Sequence, residues 1–147
     1  MTDDTVSNLR LILESPYRVL RDDVLVRTFV GFDDEDEVKV YDALGKSNLK
    51  APYVVVTMIP TLGDQTGVYG DDDVIKIIYF QVSCWARNRL EGTRLMDMCH
   101  EALRIGDWNV TPWELMKVRM EGMPDMVQDR DTDLIGIQAR YRGMFGR

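Results

Sequence analysis

The amino-acid sequence predicts an α+β fold in a single domain, residues 1–147, with an antiparallel or mixed β-sheet. The sheet is expected to carry a long protruding β-hairpin and to be packed on one side by two to three helices. Three observations predict this. Two apolar, β-branched segments flank a loop rich in glycine and aspartate, a helix with both end signals follows, and two alternating segments close the chain. Such an order is typical of helices packed on a largely antiparallel sheet.

The N-terminal third predicts two short helices followed by a loop and a strand. Apolar residues recur at helical spacing over 5–14, and Ser15-Pro16 is predicted to interrupt that helix. Apolar residues over 20–30 occupy neighbouring turns of a second helix. The acidic run 33–37 (DDEDE) is predicted to be a solvated loop, and residues 38–44 a short strand.

The segment 53–86 predicts a long β-hairpin. Residues 53–59 (YVVVTMI) are β-branched and aromatic, as in a buried strand. Residues 61–73 exceed a normal hairpin turn, and long ordered loops in compact domains are usually functional or mobile. The next strand, 74–86, would span ~43 Å at ~3.3 Å per residue. We therefore expect part of this hairpin to project beyond its own domain.

A third helix is predicted at 88–105. Asn88 can cap its first turn, Glu91 follows three residues later as in a capping box, and Gly106 is expected to supply a left-handed stop. Its broad apolar face is expected to lie on the sheet.

Two strands with one buried face are predicted at 116–121 and 134–145, because apolar and polar side chains alternate there. Residues 122–133 between them are predicted to be an acidic loop. The alternation places Met116 and Met120 in the core. Met123 and Met126 fall in the loop, where thioethers either contact a partner or fill gaps, and the sequence does not decide between the two.

Composition argues against an enzyme, a metal protein or a protein that grips nucleic acid. The net charge is −7, whereas affinity for phosphate backbones comes from Lys and Arg. The chain has one histidine, His100, and two cysteines, Cys84 and Cys99, too few for the usual four-ligand zinc site. Cys99 and His100 are adjacent on a predicted helix, so their side chains point about 100° apart and do not form a nucleophile pair. We expect no catalytic residues, no metal and no cofactor.

The two cysteines fall in apolar contexts, which favours buried free thiols in a reducing cytosol. The N-terminus is acidic, unlike a signal peptide, and no apolar run approaches the ~20 residues of a membrane span. We therefore expect the protein to be made in a cytoplasm and to have no membrane partner.

Residues 51–145 resemble the bacteriophage tail-terminator family, also described as tail-completion or tail-to-head joining proteins. The resemblance lies in the strand APYVVVTMIP, the glycine-rich loop, the long strand VIKIIYFQVSCWAR and the helix NRLEGTRLMDMCHEAL. Gln81, Val82, Trp85 and Ala86 match the strand end that precedes the helix in the family, and RYRGMF matches the closing strand. The acidic run 33–37 has no counterpart in the family pattern.

The resemblance implies a structural virion protein that assembles as a hexameric ring in the tail or neck. The ring would cap the head-proximal end of the tail tube, stop tube growth and form the joint to the neck and head. Its partners would be further copies of itself, the tail tube protein and a neck or head-completion protein, while DNA passes through the lumen without specific binding. A head-completion or neck adaptor that binds the portal side is the alternative.

Contacts with the tube or with the next subunit are expected in the long loop, the second loop and the last strand. Arg140 and Arg142 either pair with an acidic loop of a neighbouring subunit or only solvate their strand. The expected contact residues are Thr61, Asp64, Gln65, Val68, Tyr69, Asp71, Asp72, Met123, Met126, Arg140 and Arg142.

Overall fold

The computed structural model describes residues 3–42, 49–59, 68–69 and 75–146, with side chains from residue 10 onward except in 68–69. Over these residues the chain forms three helices and a six-stranded sheet, which confirms the predicted α+β class. The helices are α1 (Asp3–Asp22), α2 (Val24–Val30) and α3 (Arg89–Ile105). The strands are β1 (Val40–Asp42), β2 (Tyr53–Ile59), β3 (Val68–Tyr69), β4 (Ile75–Ala86), β5 (Glu114–Asp129) and β6 (Leu134–Gly146).

The sheet is mixed, with strand order β1-β2-β4-β6-β5, and β3 pairs with β4 beside that path. The pairing of β1 with β2 is parallel, and every other pairing is antiparallel. β4 therefore lies in the middle, while β1 and β5 form opposite edges.

The helices cover one face of the sheet and close a single described core. Every second residue of β4 from Lys76 to Ala86 is buried, and the same alternation in β6 buries Ile137, Ala139, Tyr141 and Phe145. The alternation predicted for the last strand is confirmed. The opposite face, which we call the open face, carries the intervening side chains of β2, β4, β6 and β5.

The prediction that Ser15-Pro16 ends the first helix is wrong, because α1 continues through Pro16. Proline has no backbone N–H, so the carbonyl of Ile12 loses its usual donor four residues on. The buried hydroxyl of Ser15 donates to that carbonyl instead. The break comes at Asp23, whose carboxylate accepts from the backbone N–H of Val26 at 3.0 Å and caps α2.

The third helix is confirmed, but it ends at Gly106 for a different reason from the one predicted. Asn88 Oδ1 accepts from the backbone N–H of Glu91 at 2.9 Å, as expected of a cap. Gly106, however, has φ −69°, which any residue adopts. Glycine is needed there because a Cβ would lie 2.7 Å from the carbonyl oxygen of Ala102 and would overlap Val19.

The described part of the 53–86 hairpin does not project from the domain. All twelve residues of β4 pair with β6, from Ile75 opposite Gly146 to Ala86 opposite Ile135. The length of β4 serves its own sheet, and residues 60–67 and 70–74 lie outside the described part of the chain. The long two-stranded unit is β5 and β6, of 16 and 13 residues.

The predicted loop at 122–133 is largely strand, since β5 continues to Asp129 and only residues 130–133 form the turn. Two register shifts, between Leu115 and Lys117 and between Glu121 and Asp125, interrupt the pairing with β6. The first shift removes Met116 from the alternation, so its side chain is 63% exposed, contrary to the core prediction. Met120 is partly buried against the core, as predicted.

Candidate assembly surfaces

His100 has a structural role in the described chain. Its Nδ1 lies 3.0 Å from the hydroxyl of Tyr141, whose ring stacks on Phe80 with centroids 5.4 Å apart. Burial raises the pKa of the Tyr141 hydroxyl, which therefore stays protonated at neutral pH. The arrangement places a hydrogen bond at the edge of the core and brings no nucleophile to the imidazole.

Cys84 and Cys99 are fully buried free thiols with their Sγ atoms 3.8 Å apart, which confirms the predicted buried thiols. Desolvation raises the pKa of the Cys84 thiol well above its usual value. A protonated thiol is a poor nucleophile and a poor metal ligand, so Cys84 serves to pack β4 against Cys99 on α3.

The described residues contain no group of three or more histidine, cysteine, aspartate or glutamate side chains placed to hold a metal ion. Across the same part of the chain, no helix combines the length and apolar character needed to cross a bilayer. The described residues that remain as candidates lie at the surface, in an exposed turn and on exposed strand faces.

A cationic patch lies on the open face, in an otherwise acidic protein. Lys117, Arg119, Arg140 and Arg142 share this face because they alternate with the core-facing residues of β5 and β6. Lys117, Arg119 and Arg142 line a shallow groove together with Met144.

Within the patch, Arg119 and Arg142 are direct cross-strand neighbours. Like charges opposite each other in a sheet are destabilising. Glu121 offsets part of this repulsion, because its carboxylate lies 3.5 Å from Arg119 Nε and its backbone pairs opposite Arg140. Among the described residues, no carboxylate lies within 4.0 Å of the charged groups of Lys117, Arg140 or Arg142 to form an ion pair. Over the described residues the patch therefore carries more positive than negative charge, which suits a negatively charged partner.

β5 also exposes apolar side chains along the edge of the sheet. Met123 is 85% and Met126 is 59% exposed, and Val127 lies beside them. Residues 122–128 are all exposed, and Gly122 has φ +78° within the second register shift. Exposed methionines on an unpaired edge strand favour contact with another protein chain.

The acidic run 33–37 is a solvated loop, as predicted, and it forms an ordered turn. Asp33 Oδ1 accepts from the backbone N–H groups of Glu35 and Glu37 at 2.8 and 3.0 Å, and Asp33 Oδ2 accepts from the Tyr41 hydroxyl at 2.9 Å. Phe32 and Val38 pair across the base of the turn. Asp33 thus fixes a turn whose other four acidic residues are exposed.

Exposed apolar side chains lie at the base of this acidic turn and on helix α2, which precedes it. Phe32 is 58% exposed, and Val24 and Leu25 on the neighbouring helix α2 are also exposed. Aromatic side chains are enriched at protein interfaces, so the exposed ring of Phe32 makes this edge a candidate contact surface.

The two surfaces lie on opposite edges of the sheet. The acidic turn leads into β1, one edge strand, while the cationic patch belongs to β5, the other edge strand, and its neighbour β6. β2 and β4 lie between them. One subunit therefore cannot bring its own two surfaces together.

The structure brings only some of the sequence-predicted contact residues together. Arg140 and Arg142 lie in the cationic patch, and Met123 and Met126 on the adjoining edge strand. Val68 and Tyr69 form β3, paired with Ile78 and Ile77. Thr61, Asp64, Gln65, Asp71 and Asp72 lie outside the described residues.

Sequence reasoning missed Lys117, Arg119 and Phe32 as surface candidates. The two basic residues alternate with core positions of β5, so their shared face was readable from the sequence. Their position beside Arg140 and Arg142 could not be read from the sequence, because it depends on the register of β5 against β6. Phe32 gave no signal, since a single apolar residue beside a loop is usually buried.

The chain matches no protein-family model and no curated protein sequence. By fold, 15 chains of solved structures match it. One belongs to a structure described as the virion of a native gene transfer agent (GTA) particle, with a TM-score of 0.62 and 19% sequence identity, over 90% of this chain and 92% of that chain. At this identity the likeness shows a common fold that spans nearly the whole of both chains.

Proposed function

We propose that this protein is a structural component of a virion, and specifically a tail terminator. In that role it caps the head-proximal end of the tail tube as a ring and forms the joint to the neck. The observation that carries the proposal is the fold shared with a GTA virion chain over nine-tenths of this chain. The resemblance of residues 51–145 to tail terminators gives the finer assignment.

The surfaces of the described chain support an assembly role over a catalytic one. Its candidate features are a cationic patch, an acidic turn and an edge strand with exposed methionines, all at the surface. Its histidine and both cysteines serve packing. A closed ring needs two different complementary patches on each subunit, and this chain presents them on opposite edges of its sheet.

The experiment that tests the proposal is tail assembly with and without the protein. Deleting its gene from the genome that encodes the particle should leave tail tubes of unregulated length that fail to join heads. Adding purified protein to growing tubes should arrest them at the length reached. Tubes of normal, uniform length in the deletion strain would contradict a terminator role.

A neck or head-completion adaptor is the second candidate, because the fold is shared with a chain of a virion particle and a shared fold does not give a position within a particle. Mixing the protein separately with purified tails and with DNA-filled heads distinguishes the two roles by negative-stain imaging. A terminator binds one end of the tails, whereas an adaptor binds the portal vertex of the heads.

A further inference from the structure

We infer that neighbouring copies of this protein join by seating the acidic turn of one copy, residues 32–37, on the cationic patch of the next, formed by Lys117, Arg119, Arg140 and Arg142. The number of copies in the ring rests on the proposed function. The contact itself does not, because it is argued from the surfaces of this chain.

Charge complementarity is the first argument. The turn concentrates five of the 25 acidic residues of the chain in five consecutive positions. The patch has four basic side chains, and among the described carboxylates only Glu121 forms an ion pair with one of them, Arg119. Each surface repels another of its own kind, so two copies associate through unlike surfaces. The paired Arg119 and Arg142 are relieved of their mutual repulsion when carboxylates approach them.

The fit of Phe32 is the second argument. Its exposed ring lies at the base of the acidic turn, and the groove in the patch is lined by Lys117, Arg119, Arg142 and Met144. Guanidinium groups attract aromatic faces, and a thioether packs well against an aromatic ring. Phe32 therefore supplies an apolar anchor at the centre of a charged contact.

Rigidity is the third argument. The turn is fixed by the carboxylate of Asp33 and by the Phe32–Val38 pairing, and the patch lies on paired strands. Neither surface has to become ordered on contact, which lowers the entropic cost of association. Because the surfaces lie on opposite edges, each copy offers one of each, and the contact propagates head to tail until it closes.

Two charge-reversal variants of the full chain test the contact. The turn variant is Asp34→Lys/Glu35→Lys/Glu37→Lys, which keeps Asp33 and the turn geometry. The patch variant is Lys117→Glu/Arg140→Glu/Arg142→Glu, which keeps the Arg119–Glu121 pair. Both change only side chains that are exposed or half-exposed, so both should retain the circular dichroism spectrum of the wild type. A control for the patch variant, Arg10→Glu/Arg89→Glu/Arg94→Glu, makes the same change in net charge as that variant but on the helical layer.

Sedimentation over a concentration series should show self-association of the wild type and of the control. Each reversal variant alone should have its association constant lowered by about tenfold or more, since like charges now face each other. An equimolar mixture of the two variants should recover assembly. The turn of each variant then faces a patch of opposite sign on the other, so copies alternate around a ring with an even number of subunits.

A carbodiimide cross-linker should join Lys117 to a carboxylate of 34–37, and mixing light and heavy-isotope protein should show that the link joins two copies. Phe32→Ala should weaken association while leaving the fold unchanged. The inference is overturned by a wild type that stays monomeric without such a cross-link, by reversal variants that assemble like the control, or by a mixture that stays monomeric. None of these readouts uses tails or heads, so a failure here is separable from a failure to cap tubes.

Discussion

Tyr141 is buried and carries a hydroxyl at the edge of the core, and its contacts show what a buried polar group requires. Its side chain is 1% exposed, yet its hydroxyl has His100 as a partner at 3.0 Å and Met96 Sδ at 4.0 Å. Ser15 and Cys84 follow the same rule, one bonded to a carbonyl and the other beside a second thiol. Stability at the residue scale therefore depends on a few specific partners as well as on apolar area.

Replacing Tyr141 with phenylalanine should lower the free energy of unfolding by about 1 kcal/mol, the net value of a typical hydrogen bond. The stacking on Phe80 survives the change, because the ring is retained. Urea denaturation measures the difference. Tyr79→Phe on the open face is the matched control, since its hydroxyl has no hydrogen bond to the described residues. Equal losses in the two variants would show that the His100 contact contributes nothing.

The buried thiol of Cys84 makes the free energy of unfolding depend on pH in the alkaline range. Burial raises the pKa of Cys84 in the folded chain, whereas the unfolded thiol titrates near its ordinary value of about 8.5. Below that pH the thiol is protonated in both the folded and the unfolded chain, and its contribution to stability is fully present. Above it the unfolded chain releases a proton that the folded chain keeps, so stability falls as pH rises.

Urea denaturation at pH 7.5, 8.5 and 9.5 should show this loss in the wild type. The variant Cys84→Ala should lose about 1 kcal/mol less between pH 8.5 and 9.5, because one titrating group is absent. Parallel pH profiles for the two proteins would contradict the assignment to Cys84.

At the scale of elements, helix α1 shows where sequence patterns mislead. Pro16 reads as a helix break, but the Ser15 hydroxyl replaces the hydrogen bond that the proline removes, and the helix continues to Asp22. This substitution is not visible from residue types alone, because serine before proline more often begins a turn. Helix α3 was predictable because its cap is local, between Asn88 and Glu91.

Ser15→Ala should cost about 1–3 kcal/mol of unfolding free energy, because it leaves the carbonyl of Ile12 buried without its donor. In the double variant Ser15→Ala/Pro16→Ala, the new backbone N–H of residue 16 can donate to that carbonyl, so most of the loss should be recovered. Urea denaturation of the wild type, Ser15→Ala, Pro16→Ala and the double variant completes a double-mutant cycle. A double variant as unstable as Ser15→Ala would contradict this account of α1.

The strands show which features a sequence specifies. The alternation in 134–145 gave the buried face of β6 correctly, since strand periodicity is local. The register shifts in β5 could not be read from the chain, and they exposed Met116 and extended the strand to Asp129. The length of β4 was predicted closely, whereas its pairing along the whole of β6 could not be read from the sequence, because it is a long-range property.

At the scale of the whole molecule, a sheet with unlike edges defines the candidate site. One edge presents the acidic turn and Phe32, and the other presents β5 with its methionines and the cationic patch. Arg140 and Arg142 were identifiable as candidates from alternation. The run 33–37 was predicted to be a solvated loop and is exposed, but only the fold shows that it is an ordered turn at the opposite edge of the sheet. Complementary surfaces become visible once strand order is known.

The central claim is that copies of this chain form a ring at the end of a tail tube. Electron cryomicroscopy of assembled particles, with the density traced at the tail-to-neck junction, tests it most directly. We predict one closed ring of this chain on the head-proximal end of the tube, with residues 32–37 of each copy against β5 and β6 of the next. Density for this chain elsewhere in the particle, or particles that lack it altogether, would contradict the account.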